Sequence, residues 1–208
     1  MRRAAGLASA LRPVDGWLAV CDPWDRIDLS AHGFTLDERQ PWMCRAPSPI
    51  AADPPAIAGI RIVPVADGRA LSEFEAVHNE GFGARPAPPG AYYGAPLLDD
   101  DRIRLFLARD GGGDGPGVGT AMAYLGDDVV GIYSVSVVPG FRRRGIGWSL
   151  TRAAVASAAD RPAVLQPSAE GASMYRRMGF EPFAEFAVWV RPEAGAPEAS
   201  PAATAPGT

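Results

Sequence analysis

Short segments of alternating apolar and polar residues follow one another from residue 59 onward, and segments with helical spacing separate them. Alternation with a period of two predicts strands, whereas apolar residues three and four positions apart predict helices. The predicted strands are 60–65, 102–109, 118–125, 129–138, 162–166 and 183–190; the predicted helices are 67–80, one that begins at Ile146 and one around Tyr175. This order predicts an α/β fold of the mixed α+β kind, with a central mixed β-sheet and helices on both faces.

The first 58 residues lack such a clear order. Residues 16–21 fit either a short helix or a strand, and residues 34–45 fit one or two strands around a turn. The proline-rich segment 46–55 predicts a linker. We therefore expect a small N-terminal appendage over 1–58, a main domain over 59–191 and a disordered tail over 192–208, where alanine, proline, glycine, serine and threonine dominate.

The most informative segment, residues 135–149, joins a predicted strand to a predicted helix. An apolar run ends at Pro139, three arginines follow, and Gly145 and Gly147 open the helix. The first turn of a helix carries unpaired backbone N–H groups and a partial positive charge, and it therefore binds anions. Glycine lets a phosphate approach the main chain, and arginine adds permanent charge. The segment predicts a site for a ligand that carries a pyrophosphate.

Two motifs, in this order and at this separation, resemble the GNAT superfamily of N-acetyltransferases. The acetyl-CoA motif of that family is Arg/Gln-x-x-Gly-x-Gly/Ala after a strand that ends in Val-x-Pro. It is matched by Val137-Val138-Pro139 and by Arg-Arg-Arg-Gly-Ile-Gly at 142–147. A later helix of the family, which carries a tyrosine and ends in Gly-Phe, is matched at residues 168–180. With the compatible strand pattern the resemblance extends over residues 59–191.

The resemblance implies a GNAT-like sheet and a site for acetyl-CoA. In the family, the strand before the turn separates from its neighbour, often at a bulge, and the pantetheine arm pairs with its free backbone groups. A backbone N–H there can also polarise the acyl carbonyl. The resemblance therefore assigns cofactor binding to Val135, Ser136, Val137, Arg142, Arg143, Arg144, Gly145, Ile146, Gly147 and Trp148.

The resemblance also makes Tyr175 the candidate general acid, because a phenol hydroxyl near the leaving sulfur can protonate the thiolate of CoA. The alternative is an ordinary half-buried aromatic residue. The general base stays open. Glu80, Asp99, Asp100 and Asp101 are candidates near the substrate cleft, but charged surface is the preferred interpretation for each of them. Packing on an apolar helix face is the preferred interpretation for His78. Residues 84–93, with Tyr92 and Tyr93, form either a wall of the acceptor site or a surface loop.

Composition narrows the classes of partner. The formal net charge is −4, which argues against nucleic acid, and no segment reaches the ~20 apolar residues of a membrane span. The glycines between 111 and 119 lack nucleotide-loop spacing and predict a hairpin loop. Only Cys21, Cys44, His32 and His78 could supply soft metal ligands, so we expect no metal site and a reducing, cytoplasmic location.

These observations predict an enzyme that transfers an acyl group, in particular acetyl from acetyl-CoA, to an amine by direct attack in a ternary complex. A small-molecule amine is favoured. A protein N-terminal acetyltransferase and a non-catalytic acyl-CoA-binding or regulatory module remain alternatives. The identity of the acceptor stays open, because one fold serves many acceptors. The length of the acyl chain and the presence of a homodimer also stay open.

Overall fold

The computed structural model describes residues 18–23, 25–48, 50, 57–84, 88–113 and 115–191. The chain divides into two compact units, one of residues 1–42 and 182–208 and the other of residues 43–181. These units do not coincide with the boundaries expected from the sequence, and the division at residue 58 stays a prediction. The expected tail at 192–208 and most of the expected linker, 49 and 51–55, lie outside the described residues.

Eight strands and three α-helices make up the regular structure of the described residues. They are β1 (Leu18–Asp22), β2 (Thr35–Arg45), β3 (Arg61–Pro64), α1 (Gly68–Phe82), β4 (Ile103–Arg109), β5 (Gly117–Leu125), β6 (Val130–Val137), α2 (Ile146–Ala156), β7 (Ala163–Leu165), α3 (Ala172–Arg177) and β8 (Glu181–Arg191). The type and order of the elements predicted after residue 59 are confirmed, with ends displaced by one or two residues.

The first unit is built on β1 and β8, which pair antiparallel from Leu18 opposite Arg191 to Asp22 opposite Ala187. The first part of β2 lies on the other side of β8. Phe34 and Trp189 belong to a small separate core in this unit. Residues 18–22 are thus a strand rather than a helix, and residues 35–45 form one strand rather than two.

The second unit contains a mixed sheet with the strand order β7-β6-β5-β4-β3. Neighbouring strands are antiparallel except for β6 and β7, which are parallel. The last three residues of β2, Met43–Arg45, pair antiparallel with β7. The sheet and its helices enclose one apolar core, whose fully buried side chains include Phe74, Leu107, Val118, Leu150 and Leu165.

Helices α1 and α2 cover opposite faces of this sheet. A Cβ placed on Gly81 of α1 would meet Ser136, whereas a Cβ on Gly147 of α2 would lie 3.9 Å from Val137. Successive residues of a strand point to opposite faces, so the two helices flank β6 from opposite sides. None of the helices within the described ranges is long and apolar enough to cross a lipid bilayer.

Candidate functional site

Strands β6 and β7 separate halfway along β6. Their parallel pairing runs from Val130 opposite Ala163 to Ile132 opposite Leu165 and ends there, although β6 continues to Val137. The described residues therefore provide no neighbouring strand on this side of residues 133–137. The backbone N–H and C=O groups that point to this side are available to an extended ligand, which can pair with them as an added strand.

A β-bulge lies where the two strands separate. The register between β5 and β6 shifts between Thr120, which is opposite Ser136, and Met122, which is opposite Tyr133. Two residues of β6, Ser134 and Val135, therefore face a single residue of β5. Ser134 has a φ of 54°, an uncommon conformation for a residue with a side chain. Such bulges redirect side chains and are found beside binding sites.

Of the three strand residues assigned to cofactor binding, Val135 lies in this bulge, and Ser136 and Val137 follow it. Val135 and Val137 are half-buried, and Ser136 is buried. The Ser136 hydroxyl lies 2.8 Å from the hydroxyl of Thr120, which donates a 2.7 Å hydrogen bond to the Ser134 carbonyl. The side chain of Ser136 thus points to the face of the sheet that α1 covers. The backbone of Ser136 is therefore the part that a ligand can contact.

The strand is followed by a turn that ends at the N-terminus of α2. Residues Pro139–Phe141 form a single 3-10 turn, and Gly145 precedes α2 in the left-handed conformation, with a φ of 85°. No side chain in the described part of the chain caps this helix end. The first backbone N–H groups of α2, on Ile146, Gly147 and Trp148, therefore remain available for an anion, as predicted for the helix end itself.

The three arginines of the turn differ in their contacts. Arg142 donates to the carbonyl of Val137 (3.2 Å) and to the carbonyl of Gly81 in α1 (2.8 Å). Arg144 donates to the carbonyl of Gly140 and stacks over Phe141, 4.8 Å from the ring centre. Arg143 is exposed and has a φ of 60°. Arg142 therefore also fastens β6 to α1, whereas Arg143 presents its charge to solvent.

The aromatic and aliphatic residues of the helix end belong to the core. Ile146 is 1% exposed and Trp148 is 9% exposed. The Trp148 indole N–H is buried and has no hydrogen-bond partner among the described residues, while the Arg177 guanidinium lies 5.5 Å from the Trp148 ring. Only the backbones of these two residues are positioned to contact a phosphate.

Tyr175 lies in α3 and is almost fully buried, with 7% of its surface exposed. Its ring packs edge-on against Phe180, at a centroid distance of 5.9 Å. Burial is the main cause of a raised Tyr175 pKa, and a hydrogen bond with the Thr151 hydroxyl of α2 opposes it. The phenol is therefore protonated at neutral pH, which is the form that a general acid requires.

Glu75 of α1 holds the segment before β4 against this helix. The carboxylate accepts hydrogen bonds from the backbone N–H groups of Gly90 (2.5 Å), Tyr92 (2.7 Å) and Tyr93 (3.3 Å). Burial alone would raise the Glu75 pKa, but the three N–H donors outweigh it and lower the pKa below its usual value. A buried carboxylate is therefore satisfied by backbone groups alone.

The segment fixed by Glu75 brings Tyr93 to the bulge. The Tyr93 hydroxyl lies 2.7 Å from the Ser134 hydroxyl, and its ring packs edge-on against Phe74 (4.9 Å) and His78 (5.1 Å). His78 also contacts Phe82, with ring centres 4.6 Å apart. Burial lowers the His78 pKa. Aromatic side chains thus surround the side of the bulge that faces α1.

The carboxylates considered as general bases lie away from this cluster. Glu80 is exposed and two residues beyond His78, which places it about 200° around the helix. Asp99, Asp100 and Asp101 line a separate cavity of about 260 Å³ at the start of β4, and Asp100 forms an exposed ion pair with Arg102 (2.7 Å). Neither Tyr93 nor Ser134 lines that cavity.

Comparison with known protein families agrees with this geometry. Residues 101–182, from two residues before β4 to the start of β8, match the family model described as an acetyltransferase (GNAT) domain. This region of the chain is similar to GNAT acetyltransferases. The expected resemblance is therefore confirmed, and the separated strands, the bulge and the glycine turn all lie within the matched residues.

Solved structures of the superfamily share the fold. A GCN5-related N-acetyltransferase from Kribbella flavida is 25% identical, with a TM-score of 0.55 over 81% of this chain and 63% of that one. Another from Sphaerobacter thermophilus is 22% identical, with a TM-score of 0.61 over 91% and 69%. This chain therefore spans less than two thirds of the length of the Kribbella protein. No curated protein matches this chain in sequence.

Sequence patterns did not identify Glu75, Ser134 and Phe82 as parts of the site. Glu75 had a detectable signal, since a carboxylate between Phe74 and Val77 on a buried helix face requires a partner. Ser134 has no local signal, because a bulge depends on pairing between two strands. Phe82 continues the stripe of Phe74 and His78 at intervals of four residues, a pattern that is visible in the sequence.

Proposed function

We propose that the protein transfers an acetyl group from acetyl-CoA to a small-molecule primary amine. The observation that carries this proposal is the separation of β6 from β7 next to the uncapped N-terminus of α2. An extended arm requires a free strand edge, and a pyrophosphate requires a helix N-terminus. A ligand that carries both requires the two features at adjoining positions. The match to the GNAT family model supports acyl transfer in general. The acetyl donor, the small acceptor and a cytoplasmic location are the proposal.

Under this proposal the pyrophosphate binds the N-terminus of α2, and the pantetheine arm pairs with β6. The backbone N–H groups of Ile146, Gly147 and Trp148 and the side chain of Arg143 contact phosphate oxygens. Arg142 and Arg144 add charge while they hold the turn. The free edge of Val135–Val137 supports the role of added-strand partner, and it leads the arm toward the bulge.

The chemistry is one addition and one elimination. The lone pair of the neutral amine attacks the thioester carbonyl carbon and forms the C–N bond. The C–S bond then breaks, and its electron pair leaves with the sulfur of CoA. The nitrogen loses one proton to solvent or a base, and the thiolate gains one proton. Backbone N–H groups at the bulge stabilise the negative oxygen of the intermediate.

Tyr175 is the donor that we propose for the leaving thiolate. Its buried, protonated phenol and its position in the helix that follows β7 support this role. Thr151 of α2 lies beside the phenol and donates its own hydroxyl proton to the Gly147 carbonyl (2.8 Å).

The test is calorimetric titration with acetyl-CoA, combined with release of free CoA in the presence of small amines and peptides. We expect saturable binding and release of CoA with at least one small amine. Absence of acetyl-CoA binding would refute the proposal. Binding without release from any acceptor would identify a non-catalytic acyl-CoA-binding module, and release with peptides alone would identify a protein N-terminal acetyltransferase.

A further inference from the structure

An aromatic surface lies beside the bulge, formed by His78, Phe82 and Tyr93. Phe82 is 56% exposed, and the half-buried ring of His78 lies between Phe82 and Tyr93, with centroid distances of 4.6 and 5.1 Å. Tyr93 continues the contact to the Ser134 hydroxyl. The surface is therefore a connected group of rings that leads from solvent to the bulge.

Tyr133 is a further aromatic residue of the sheet, and its ring lies over Gly131 of the same strand. It pairs with Met122, and Ser136, whose side chain faces α1, pairs with Thr120. Residues 120 and 122 are two positions apart on β5 and therefore point to the same face. Tyr133 thus lies on the face that α1 covers, and it is 38% exposed.

Among the described residues, Glu75 is the carboxylate whose charge acts on both His78 and Tyr93. Three backbone N–H groups already use its two oxygens, so it is not available to a second positive charge. Glu80 points away from His78 around the helix. Burial keeps His78 in its uncharged form near pH 7. The described side chains around the bulge are therefore aromatic rings and the hydroxyls of Tyr93, Thr120, Ser134 and Ser136.

We propose that the acceptor is a primary amine attached to an aromatic or similarly apolar group, without a second cationic centre. Its apolar group packs on His78, Phe82 and Tyr93, and its nitrogen reaches the acyl carbon beside the Tyr93 and Ser134 hydroxyls. This inference rests on the proposed acetyl transfer. Ring-on-ring contact provides the attraction, and the absence of a free carboxylate disfavours polyamines and aminoglycosides.

The first experiment compares acceptors of similar length. Release of CoA is measured with 2-phenylethylamine, hexylamine, 1,6-diaminohexane and kanamycin as acceptors. We expect the highest kcat/KM with 2-phenylethylamine, and a value at least about tenfold lower with 1,6-diaminohexane than with hexylamine, because the second ammonium loses hydration without a partner. Equal or faster acetylation of 1,6-diaminohexane or kanamycin would overturn the inference.

The second experiment uses Phe82→Ala with Phe183→Ala as its matched control, since Phe183 is 60% exposed and lies in the other compact unit. We expect Phe82→Ala to raise the KM for 2-phenylethylamine by about tenfold. The dissociation constant of acetyl-CoA should not change in either variant. An unchanged KM in Phe82→Ala would remove the aromatic surface from acceptor binding.

A binding measurement separates this inference from the proposed reaction. Saturation-transfer NMR detects 2-phenylethylamine bound to the wild type and to Phe82→Ala in the presence of CoA. Amine binding that is lost in Phe82→Ala supports the surface even if no acceptor releases CoA, in which case only the proposed transfer fails. Release of CoA by other amines, without binding of 2-phenylethylamine, overturns the inference and leaves the transfer intact.

Discussion

The hydroxyl oxygens of Tyr93 and Ser134 lie 2.7 Å apart, although the two residues are 41 positions apart in the chain. This bond joins the segment before β4 to the bulge of β6. The Ser134 backbone is held at a φ of 54°, and the bond fixes the direction of its side chain.

Tyr93→Phe and Ser134→Ala should each raise the KM for the amine without changing the affinity for acetyl-CoA. Each variant removes one hydroxyl, and a hydrogen bond of this kind contributes about 1 kcal/mol. A double-mutant cycle in the free energy of unfolding should give a coupling of about 1 kcal/mol between the two positions. Additive effects would show that the bond is not formed in solution.

Glu75→Gln should destabilise the protein in a manner that depends on pH. Hydrogen bonds to a charged group contribute about 1.5–3 kcal/mol each, and the amide loses that charge. The lowered pKa of Glu75 means that the unfolded chain binds more protons than the native state as pH falls. The advantage of the wild type is therefore complete above the ordinary value of 4.5 and disappears as pH falls through the native pKa.

Urea denaturation of wild type and Glu75→Gln at several pH values between about 3 and 7 measures this difference. Glu80→Gln is the matched control, because Glu80 is exposed on the same helix. A difference between wild type and Glu75→Gln that is independent of pH would contradict the assignment of an ionised, hydrogen-bonded carboxylate.

Gly81→Ala should destabilise the protein, although alanine is the better helix former by about 1 kcal/mol. The added Cβ would lie 2.6 Å from the Ser136 Oγ and 2.7 Å from its Cβ, so α1 would have to move from β6. We expect a loss of about 1–3 kcal/mol. Gly68→Ala is the control, because no atom lies within 4 Å of its added Cβ.

Thermal denaturation measures both glycine variants. A second substitution, Ser136→Gly, removes the side chain that the new Cβ meets, and it should restore part of the loss. If Gly81→Ala were as stable as Gly68→Ala, the close approach of α1 and β6 would be wrong.

Arg143→Ala and Arg142→Ala should have different effects. Arg143 is exposed, and its removal should weaken acetyl-CoA binding by about fivefold to tenfold while the melting temperature stays constant. Arg142 also joins β6 to α1, so Arg142→Ala should lower both the affinity and the melting temperature. Calorimetric titration and thermal denaturation distinguish the two. Equal losses of stability would contradict the difference in their contacts.

Tyr175→Phe should lower kcat by about 100-fold and leave acetyl-CoA affinity unchanged, because the lost hydroxyl acts on the leaving thiolate. Burial raises the Tyr175 pKa above its usual value of 10.0, so the proton-donating form persists across the neutral range. Any fall of kcat caused by Tyr175 should therefore occur only above pH 10. Tyr92→Phe, at an exposed tyrosine, is the control, and an unchanged kcat in Tyr175→Phe would exclude Tyr175.

Sequence patterns predicted the parts of the fold that depend on neighbouring residues. Asp67 accepts a hydrogen bond from the Ala70 N–H and begins α1 one residue after the expected position. Gly145 adopts the left-handed conformation before α2, where a strand-turn-helix sequence was visible. These features follow from spacings of three or four residues, which a sequence displays directly.

The remaining parts depend on residues that are distant in sequence. Nothing near Ser134 indicates its bulge, because the register shift is a property of the pairing with β5. Glu75 has partners 15 to 18 residues away, all of them backbone groups without a sequence signature. The segment that contains Pro41 was compatible with a turn, because proline has no backbone N–H to donate to a neighbouring strand. In the structure, β2 nevertheless continues through Pro41.

The anchoring of residues 90–93 by Glu75 has a consequence for how such a chain can diversify. The carboxylate holds main-chain N–H groups, which every residue except proline supplies, so it imposes almost no requirement on the side chains of the segment that it holds. Replacing Tyr92 or Tyr93 would change the surface offered to an acceptor while the attachment persists. The side chains of this segment can therefore change while its attachment to α1 is kept. New acceptor preferences can arise there without a change in the sheet.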